Sequence, residues 1–164
     1  MPKIIVTGPE SCGKTTLCDA LSKQFKIPYN KEYAREYLTE IGREYSKKDL
    51  LKIAIKQLKN EKNRFLLDTD LITIKIWSIY KYGDCEKWIL KQIESQKKEN
   101  RFYLLCKPDI KWSPDPLREN PKDRIKLFDT YLNEISTLNH KYHIVEGENR
   151  ISNSLKIVST KLFK

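Results

Sequence analysis

Eight consecutive residues near the amino terminus, 8–15, have the types and spacing of a loop that binds phosphate groups. They read Gly-Pro-Glu-Ser-Cys-Gly-Lys-Thr and match the pattern G-x-x-x-x-G-K-[ST] throughout. The glycines permit backbone conformations and close approaches that a side chain would block. Backbone N–H groups can then turn onto phosphate oxygens, and the helix that follows adds the positive end of its dipole.

This loop predicts a nucleoside triphosphate, ATP or GTP, bound together with Mg²⁺. We expect Lys14 to reach the β- and γ-phosphates and the Thr15 hydroxyl to complete the Mg²⁺ shell. A buried apolar run directly before the loop and an amphipathic pattern directly after it provide the context that the motif requires. The residues expected to bind the nucleotide are Gly8, Glu10, Ser11, Cys12, Gly13, Lys14, Thr15 and Thr16, joined by Arg118 and Arg124.

Two carboxylates, Asp68 and Asp70, follow the apolar run 65–67. A carboxylate at the end of a buried strand beside a phosphate loop is suited to hold a metal-bound water, so Asp68 is expected to serve the metal and the reaction. The alternative for Asp68 is a helix N-cap. Asp70 suits either a catalytic position facing the substrate or the cap of the next helix.

A second group of polar residues, Glu32, Tyr33 and Arg35, follows the second predicted strand and is expected to face the phosphoryl acceptor. A carboxylate here can accept the proton of an attacking hydroxyl, and an aromatic ring can stack on a ring of the acceptor. Arg35 could bind a phosphate or pair with a nearby glutamate. The alternative is an exposed helix with ordinary ion pairs.

Further candidates lie in the second half of the chain. Trp77 is either a core residue or a stacking surface for the substrate. Trp112 and a proline-rich stretch lead to Arg118 and Arg124, in a segment expected at about 110–126 to act as a lid. A lid excludes water and places positive charge on the transferring phosphoryl group, a catalytic role for which Arg118 is the first candidate. The alternative is that these arginines cap a helix at the surface.

Alternating apolar runs and helical patterns predict one α/β domain over residues 1–164. We expect the three-layer sandwich of P-loop NTPases: a five-stranded parallel sheet with helices on both faces and a small lid. Ligands of such sheets bind beyond the carboxyl ends of the strands. The expected strands are 4–6, 27–30, 64–67, 102–106 and 142–145, and the expected helices are 14–25, 32–41, 46–63, 70–82, 84–98, 122–139 and 151–162.

Composition limits the compartment and the partners. The formal net charge is +10, but the excess is mostly lysine spread along the chain, which indicates a solvated surface, so we do not expect a nucleic acid partner. Four cysteines without paired spacing predict reduced thiols. No apolar run is long enough for a signal peptide or a membrane span, so the cytoplasm is expected.

The motifs together resemble the ribosylnicotinamide kinase domain of the NadR family, within the AAA-type P-loop ATPases. The resemblance covers nearly the whole chain. Beyond the generic phosphate loop, it is carried by the more specific segments 32–38 (Glu-Tyr-Ala-Arg-Glu-Tyr-Leu) and 68–73 (Asp-Thr-Asp-Leu-Ile-Thr), and by Trp112 and Arg118. Multidomain members carry a DNA-binding and an adenylyltransferase domain before this one, and we expect a stand-alone kinase domain without either.

The resemblance implies ATP-dependent phosphorylation of nicotinamide riboside to nicotinamide mononucleotide, a small-molecule kinase reaction. It places Lys14 and Thr15 at phosphate and Mg²⁺, Asp68 at the metal and Arg118 in the lid, with Glu32, Tyr33 and Asp70 facing the riboside. Lys31 stands where enteric members have a tryptophan. The alternative function is a P-loop ATPase or nucleotide switch that acts on a protein or nucleic acid partner.

Overall fold

A computed structural model describes residues 1–163 of the chain. The strands of this part are β1 (Lys3–Thr7), β2 (Tyr29–Asn30), β3 (Leu66–Asp68), β4 (Arg101–Cys106) and β5 (Lys141–Val145). Its α-helices are α1 (Lys14–Phe25), α2 (Tyr33–Ile41), α3 (Lys47–Asn60), α4 (Leu71–Tyr82), α5 (Lys87–Ser95), α6 (Arg124–Thr137) and α7 (Arg150–Leu162).

The five strands form one parallel sheet in the order β2-β3-β1-β4-β5. Strand β1 lies at the centre, with Val6 paired to Asp68 of β3 and to Leu104 of β4. The carboxyl ends of neighbouring parallel strands share one edge of a sheet, so the loops after β1 and β3 lie side by side. This topology brings the phosphate loop next to Asp68.

Helices cover both faces of the sheet, because residues along β1 alternate between two hydrophobic cores. Ile5 faces a core shared with α3, α4, α5 and α6, where Ile53 and Ile72 are buried. Ile4 and Val6 face a second core formed with α1 and α7. The expected α/β sandwich of three layers is confirmed.

The observed elements differ from the expected ones mainly at their ends. Strand β2 is limited to two residues because Ile27 still belongs to the turn that ends α1, where its N–H donates to the Ser22 carbonyl at 3.3 Å. Helix α5 begins later than expected because the carbonyl of Asp84 accepts from the Ser78 hydroxyl at 2.8 Å and its carboxylate pairs with Lys47.

The segment between β4 and α6, residues 107–123, contains neither helix nor strand and crosses the carboxyl edge of the sheet. We call it the lid segment, since it overlaps the range 110–126 that was predicted to act as a lid, and that role stays a prediction. Helix α6 begins at Arg124, inside the predicted helix 122–139. Within residues 1–163 no helix has both the length and the apolar character to cross a bilayer. The cysteines are free thiols, of which Cys85 alone among the described residues is partly exposed.

Candidate active site

The phosphate loop connects β1 to α1 through backbone conformations that glycine provides. Gly8 has a φ of 138°, and a Cβ built there would lie 2.6 Å from the carbonyl oxygen of Cys106. The loop therefore packs directly on the end of β4, and a side chain at position 8 would separate them. Gly13 has a φ of 84° and precedes the first residue of α1.

The ammonium group of Lys14 lies inside this loop. Its Nζ donates to the carbonyl oxygens of Gly8 at 3.0 Å and Pro9 at 2.7 Å. Burial alone would lower the pKa of Lys14, but negative charge on neighbouring groups, Cys12 first among them, outweighs burial and raises it. Lys14 therefore stays charged and presents a fixed positive charge to the interior of the loop.

Cys12 is the buried thiol of the loop. Its Sγ donates to the Pro9 carbonyl at 2.7 Å. Burial would raise its pKa, but the neighbouring thiol of Cys106 and the charges of Lys14 and Arg150 lower it. The thiol thus adds to the polar lining beneath the phosphate cradle.

Thr15 and Asp68 form the polar pair expected for a metal ion. The Thr15 hydroxyl donates to Oδ2 of Asp68 at 2.9 Å. The other oxygen, Oδ1, is buried and has no hydrogen-bond partner among residues 1–163. Burial raises the pKa of Asp68. A hydroxyl and a carboxylate with an unused oxygen are hard oxygen ligands, so these residues fit Mg²⁺.

A cavity of about 150 Å³ opens beside the phosphate loop. Loop residues 10–16 line part of it, and the rest of the lining comes from Glu32 and from side chains of α2, α4 and the segment 107–123. The lining side chains outside the loop include Glu32, Arg35, Trp77, Leu117 and Arg118. The structure therefore brings together most of the residues predicted for the nucleotide and for the acceptor.

Glu32 is a carboxylate that lines this cavity together with the phosphate loop. It precedes α2, yet its side chain makes no capping hydrogen bond to the helix. Burial raises its pKa to about 7, while the charge of Lys14 opposes the rise and that of Asp68 adds to it. Such a group changes protonation near neutral pH, as a general base requires.

Trp77 and Arg35 contribute an aromatic ring and a positive charge to the cavity. Trp77 lies on α4, packs against the core with part of its ring and lines the cavity with the rest. Arg35 donates from Nη1 to Oδ2 of Asp115 at 2.9 Å and so ties α2 to the lid. Trp77 therefore belongs partly to the core, and its role as a stacking surface for the substrate stays a prediction.

The two arginines predicted for the lid, Arg118 and Arg124, differ in their contacts with the site. Arg118 lines the cavity, and its Nη1 donates to the carbonyl of Ser113. Arg124 donates from Nη1 to the Ser11 carbonyl at 3.0 Å, and its guanidinium lies 5.6 Å from the centre of the Trp112 ring. Arg118 thus faces the cavity, whereas Arg124 holds the phosphate loop.

The prediction that Asp70 faces a substrate is wrong, because its carboxylate is fully buried and occupied. Oδ1 accepts from the Ile72 N–H at 3.1 Å, which caps α4. Oδ2 accepts from Arg101 at 3.1 Å and from the Tyr103 hydroxyl at 2.6 Å. The alternative of a helix cap is confirmed.

The prediction that Tyr33 faces the acceptor is also wrong. Its ring packs against Tyr37 with centroids 6.1 Å apart, and its N–H donates to Gln57 at 2.9 Å. Residues 33 and 37 share one face of α2, while Ala34 and Leu38 point toward the cavity. The helix therefore turns Tyr33 away from the site.

Several site residues were not singled out from the sequence. Ala34, Leu38 and Leu117 form apolar parts of the cavity wall. Arg150, the first residue of α7, donates from Nη1 to the Cys12 carbonyl at 3.1 Å and pairs with Asp109. Arg150 follows the carboxyl end of β5, and ligands of parallel sheets bind beyond the carboxyl ends of the strands. Its position in the sequence could therefore have indicated a role at the site.

Comparison with protein families gives a match to the AAA domain family over residues 3–150. The chain belongs to the AAA domain family. The AAA-type membership expected from the motifs is thereby confirmed. No curated protein matches the chain.

Solved structures show where the same fold recurs. The NadR protein in complex with NR superposes with a TM-score of 0.76 at 22% identity, covering 97% of this chain and 51% of that chain. The YorR protein from Bacillus subtilis, in complex with phosphorylated GDP, gives 0.56 at 20% identity and covers 96% and 95% of the two chains.

Deoxyadenosine kinase from M. mycoides with bound dATP gives a TM-score of 0.56 at 17% identity, with 99% and 100% covered. At such identities the likeness concerns the fold, which this AAA domain shares with these proteins. The chain spans about half the length of the NadR chains that it matches.

Proposed function

We propose that this AAA domain is a kinase that transfers the γ-phosphoryl group of ATP to a hydroxyl of a nucleoside-like molecule, nicotinamide riboside first among them. One observation carries the proposal: the phosphate loop and Glu32 line the same cavity. A site for a phosphoryl donor and a proton acceptor that share one space are what transfer to a hydroxyl requires.

The reaction that this geometry supports is a displacement at the γ-phosphorus. Glu32 accepts the proton of the acceptor hydroxyl as the new O–P bond forms and the bond to the bridging oxygen of ADP breaks. Lys14 and the loop amides stabilise the charge on the phosphate oxygens. Thr15 and Asp68 would hold Mg²⁺, which supplies further positive charge to the phosphate chain when bound.

The lid supports the same chemistry. Arg118 lines the cavity together with the phosphate loop. A guanidinium matches the oxygens of a phosphoryl group in charge and in geometry. Arg118 therefore stabilises the transferring group, and the lid that carries it keeps water from competing with the acceptor.

The cavity wall supports an acceptor with a planar aromatic ring, as a nucleoside has. Ala34, Leu38 and Trp77 offer apolar and aromatic surface to such a ring. An aromatic ring attracts a cation such as a pyridinium. The fold that the chain shares with NadR bound to NR supports the same choice.

Lys31 does not oppose this assignment. Its side chain is exposed and is not part of the cavity wall. The ring that the family resemblance would place at position 31 can be supplied by Trp77. A cationic lysine therefore does not face the bound acceptor.

The test is a transfer assay with ATP, Mg²⁺ and a panel of acceptors. Nicotinamide riboside, adenosine, deoxyadenosine and shikimate would be compared, and the phosphorylated product measured directly. We expect transfer to nicotinamide riboside to exceed that to shikimate by at least about tenfold, since shikimate has no aromatic ring for the Trp77 side of the cavity to contact. ADP release that no acceptor stimulates would reject the kinase and support an ATPase that acts on a macromolecular partner.

A further inference from the structure

Glu10 is an acidic residue in a loop that is suited to bind phosphate. A carboxylate beside a triphosphate is repelled by it, so phosphate binding does not account for this side chain. Its carboxylate instead makes hydrogen bonds to the backbone of the lid segment. Its two oxygens accept from the backbone N–H of Glu119, at 3.1 and 3.3 Å, and Oε2 also accepts from the N–H of Asn120 at 3.1 Å.

Ser11, the next residue of the phosphate loop, binds the lid segment at a second position. The Ser11 hydroxyl accepts from the N–H of Ser113 at 2.8 Å. Two consecutive residues of the phosphate loop therefore bind the lid at 113 and at 119–120. The intervening residues form a short arch whose two ends both rest on the loop.

This arch carries the side chains that enter the cavity. Asp115 shapes it by accepting from the N–H of Leu117 at its carboxylate and from the N–H of Arg118 at its carbonyl, both at 3.0 Å. Leu117 and Arg118 then line the cavity together with Glu10. The position of Arg118 thus depends on the contact between Glu10 and the residue that follows Arg118.

We propose that Glu10 is a positioning residue that fixes the lid arch 113–120 on the phosphate loop and thereby places Arg118 over the cavity. This inference rests on the proposed function for the role of Arg118. Hydrogen bonds from N–H groups to a carboxylate are stronger than those to a neutral oxygen. In Glu10→Gln, one acceptor oxygen becomes an NH₂ group that faces N–H donors, so the arch loses part of its hold.

Amide hydrogen exchange, followed residue by residue by NMR in the full chain, tests the contact without any acceptor. In Glu10→Gln the amides of Glu119 and Asn120 should exchange at least about tenfold faster than in the wild type. Glu40→Gln, an exposed glutamate on α2, is the matched control and should leave both rates unchanged. Unchanged protection of both amides in Glu10→Gln would overturn the inference.

Kinetics with ATP and nicotinamide riboside test the positioning role. Glu10→Gln should lower kcat about tenfold while the KM for ATP changes less than about twofold. Because Glu10 acts through Arg118, adding Glu10→Gln to Arg118→Ala should lower kcat little further. Losses that multiply in the double variant would overturn the inference.

The two measurements separate this inference from the proposed function. If the wild type transferred no phosphoryl group to any acceptor while Glu10→Gln still lost amide protection, the contact would stand and the kinase would be rejected. If the wild type were an active kinase and Glu10→Gln altered neither amide protection nor kcat, the kinase would stand and the positioning role would be rejected.

Discussion

Arg101 donates from Nη1 to Oδ2 of Asp70 at 3.1 Å, and neither side chain reaches solvent. The same guanidinium contacts Glu61, which is also buried. The carboxylate of Asp70 caps α4, so this pair joins β4 to the start of the helix that carries Trp77. Asp70 therefore stabilises the start of the helix that carries Trp77, but it does not line the cavity.

Replacing Arg101 should destabilise the domain strongly. In Arg101→Met the carboxylates of Glu61 and Asp70 would stay buried without their main positive partner, which costs about 3–5 kcal/mol of unfolding free energy. Urea denaturation followed by circular dichroism measures the change. Lys107→Met, which breaks the exposed pair with Glu146, is the control and should cost less than about 1 kcal/mol. Equal effects of the two changes would contradict this account.

The pH dependence of transfer should report Glu32. Its pKa of about 7 means that the carboxyl group is protonated below neutral pH and cannot accept the proton of the acceptor. We expect kcat/KM for the acceptor to fall about tenfold per pH unit below pH 7 and to level off above it.

Glu32→Gln removes the titrating group. It should lower kcat by about 10²–10⁴-fold with little change in the KM for ATP, and the acidic limb should disappear. Glu36→Gln, an exposed change one turn further along α2, should leave the profile as it is. An acidic limb that survives in Glu32→Gln would exclude Glu32 as the base.

Loss of the Lys14 ammonium should abolish transfer without unfolding the chain. In Lys14→Ala the loop keeps its glycines and amides but lacks its point charge, so turnover should fall at least about 10²-fold. Calorimetric titration with ATP and Mg²⁺ and a circular dichroism spectrum separate binding from folding. Lys23→Ala, an exposed lysine on the same helix, should retain full turnover. Turnover near the wild-type value in Lys14→Ala would refute the role of the loop.

Gly8 should not tolerate even a methyl group. The added Cβ meets the carbonyl of Cys106 at 2.6 Å, so the loop and β4 must separate. Gly83 also has positive φ, 80°, but nothing lies within 4 Å of its Cβ position, and Gly83→Ala measures the backbone strain alone. We expect Gly8→Ala to cost about 1–3 kcal/mol more than Gly83→Ala in thermal or urea unfolding. Similar costs would show that the close approach is unimportant.

The phosphate loop and the helices could be predicted because their signals are local. The conformation of the loop is determined by residues within the motif 8–15. The cap at Ser46 and the glycines at 42 and 83 define helix ends within a few residues. The parallel sheet followed from the alternation of strands and helices. These features need no knowledge of distant residues.

The orientation of side chains at the strand ends could not be predicted in the same way. Asp68 and Asp70 flank Thr69, and the sequence alone does not tell their roles apart. Thr69 has a φ of 63°, which turns the chain so that the Asp68 carboxylate faces the phosphate loop and the Asp70 carboxylate faces the interior. The partner that fixes Asp70 is Arg101, on another strand. Tyr33 was misplaced because the face of α2 that meets the cavity depends on how the helix packs on α3.

The two ligand-facing walls of the cavity come from separate stretches of the chain. The residues proposed to bind phosphate lie in one continuous stretch, 8–16, whereas Ala34, Leu38 and Trp77, which also line the cavity, lie on two helices. Substitutions in those helices can alter which acceptor binds without changing the phosphate loop. The proposed kinase could therefore acquire new acceptors during evolution through a few changes on α2 and α4, and a laboratory selection for altered substrate range should begin there.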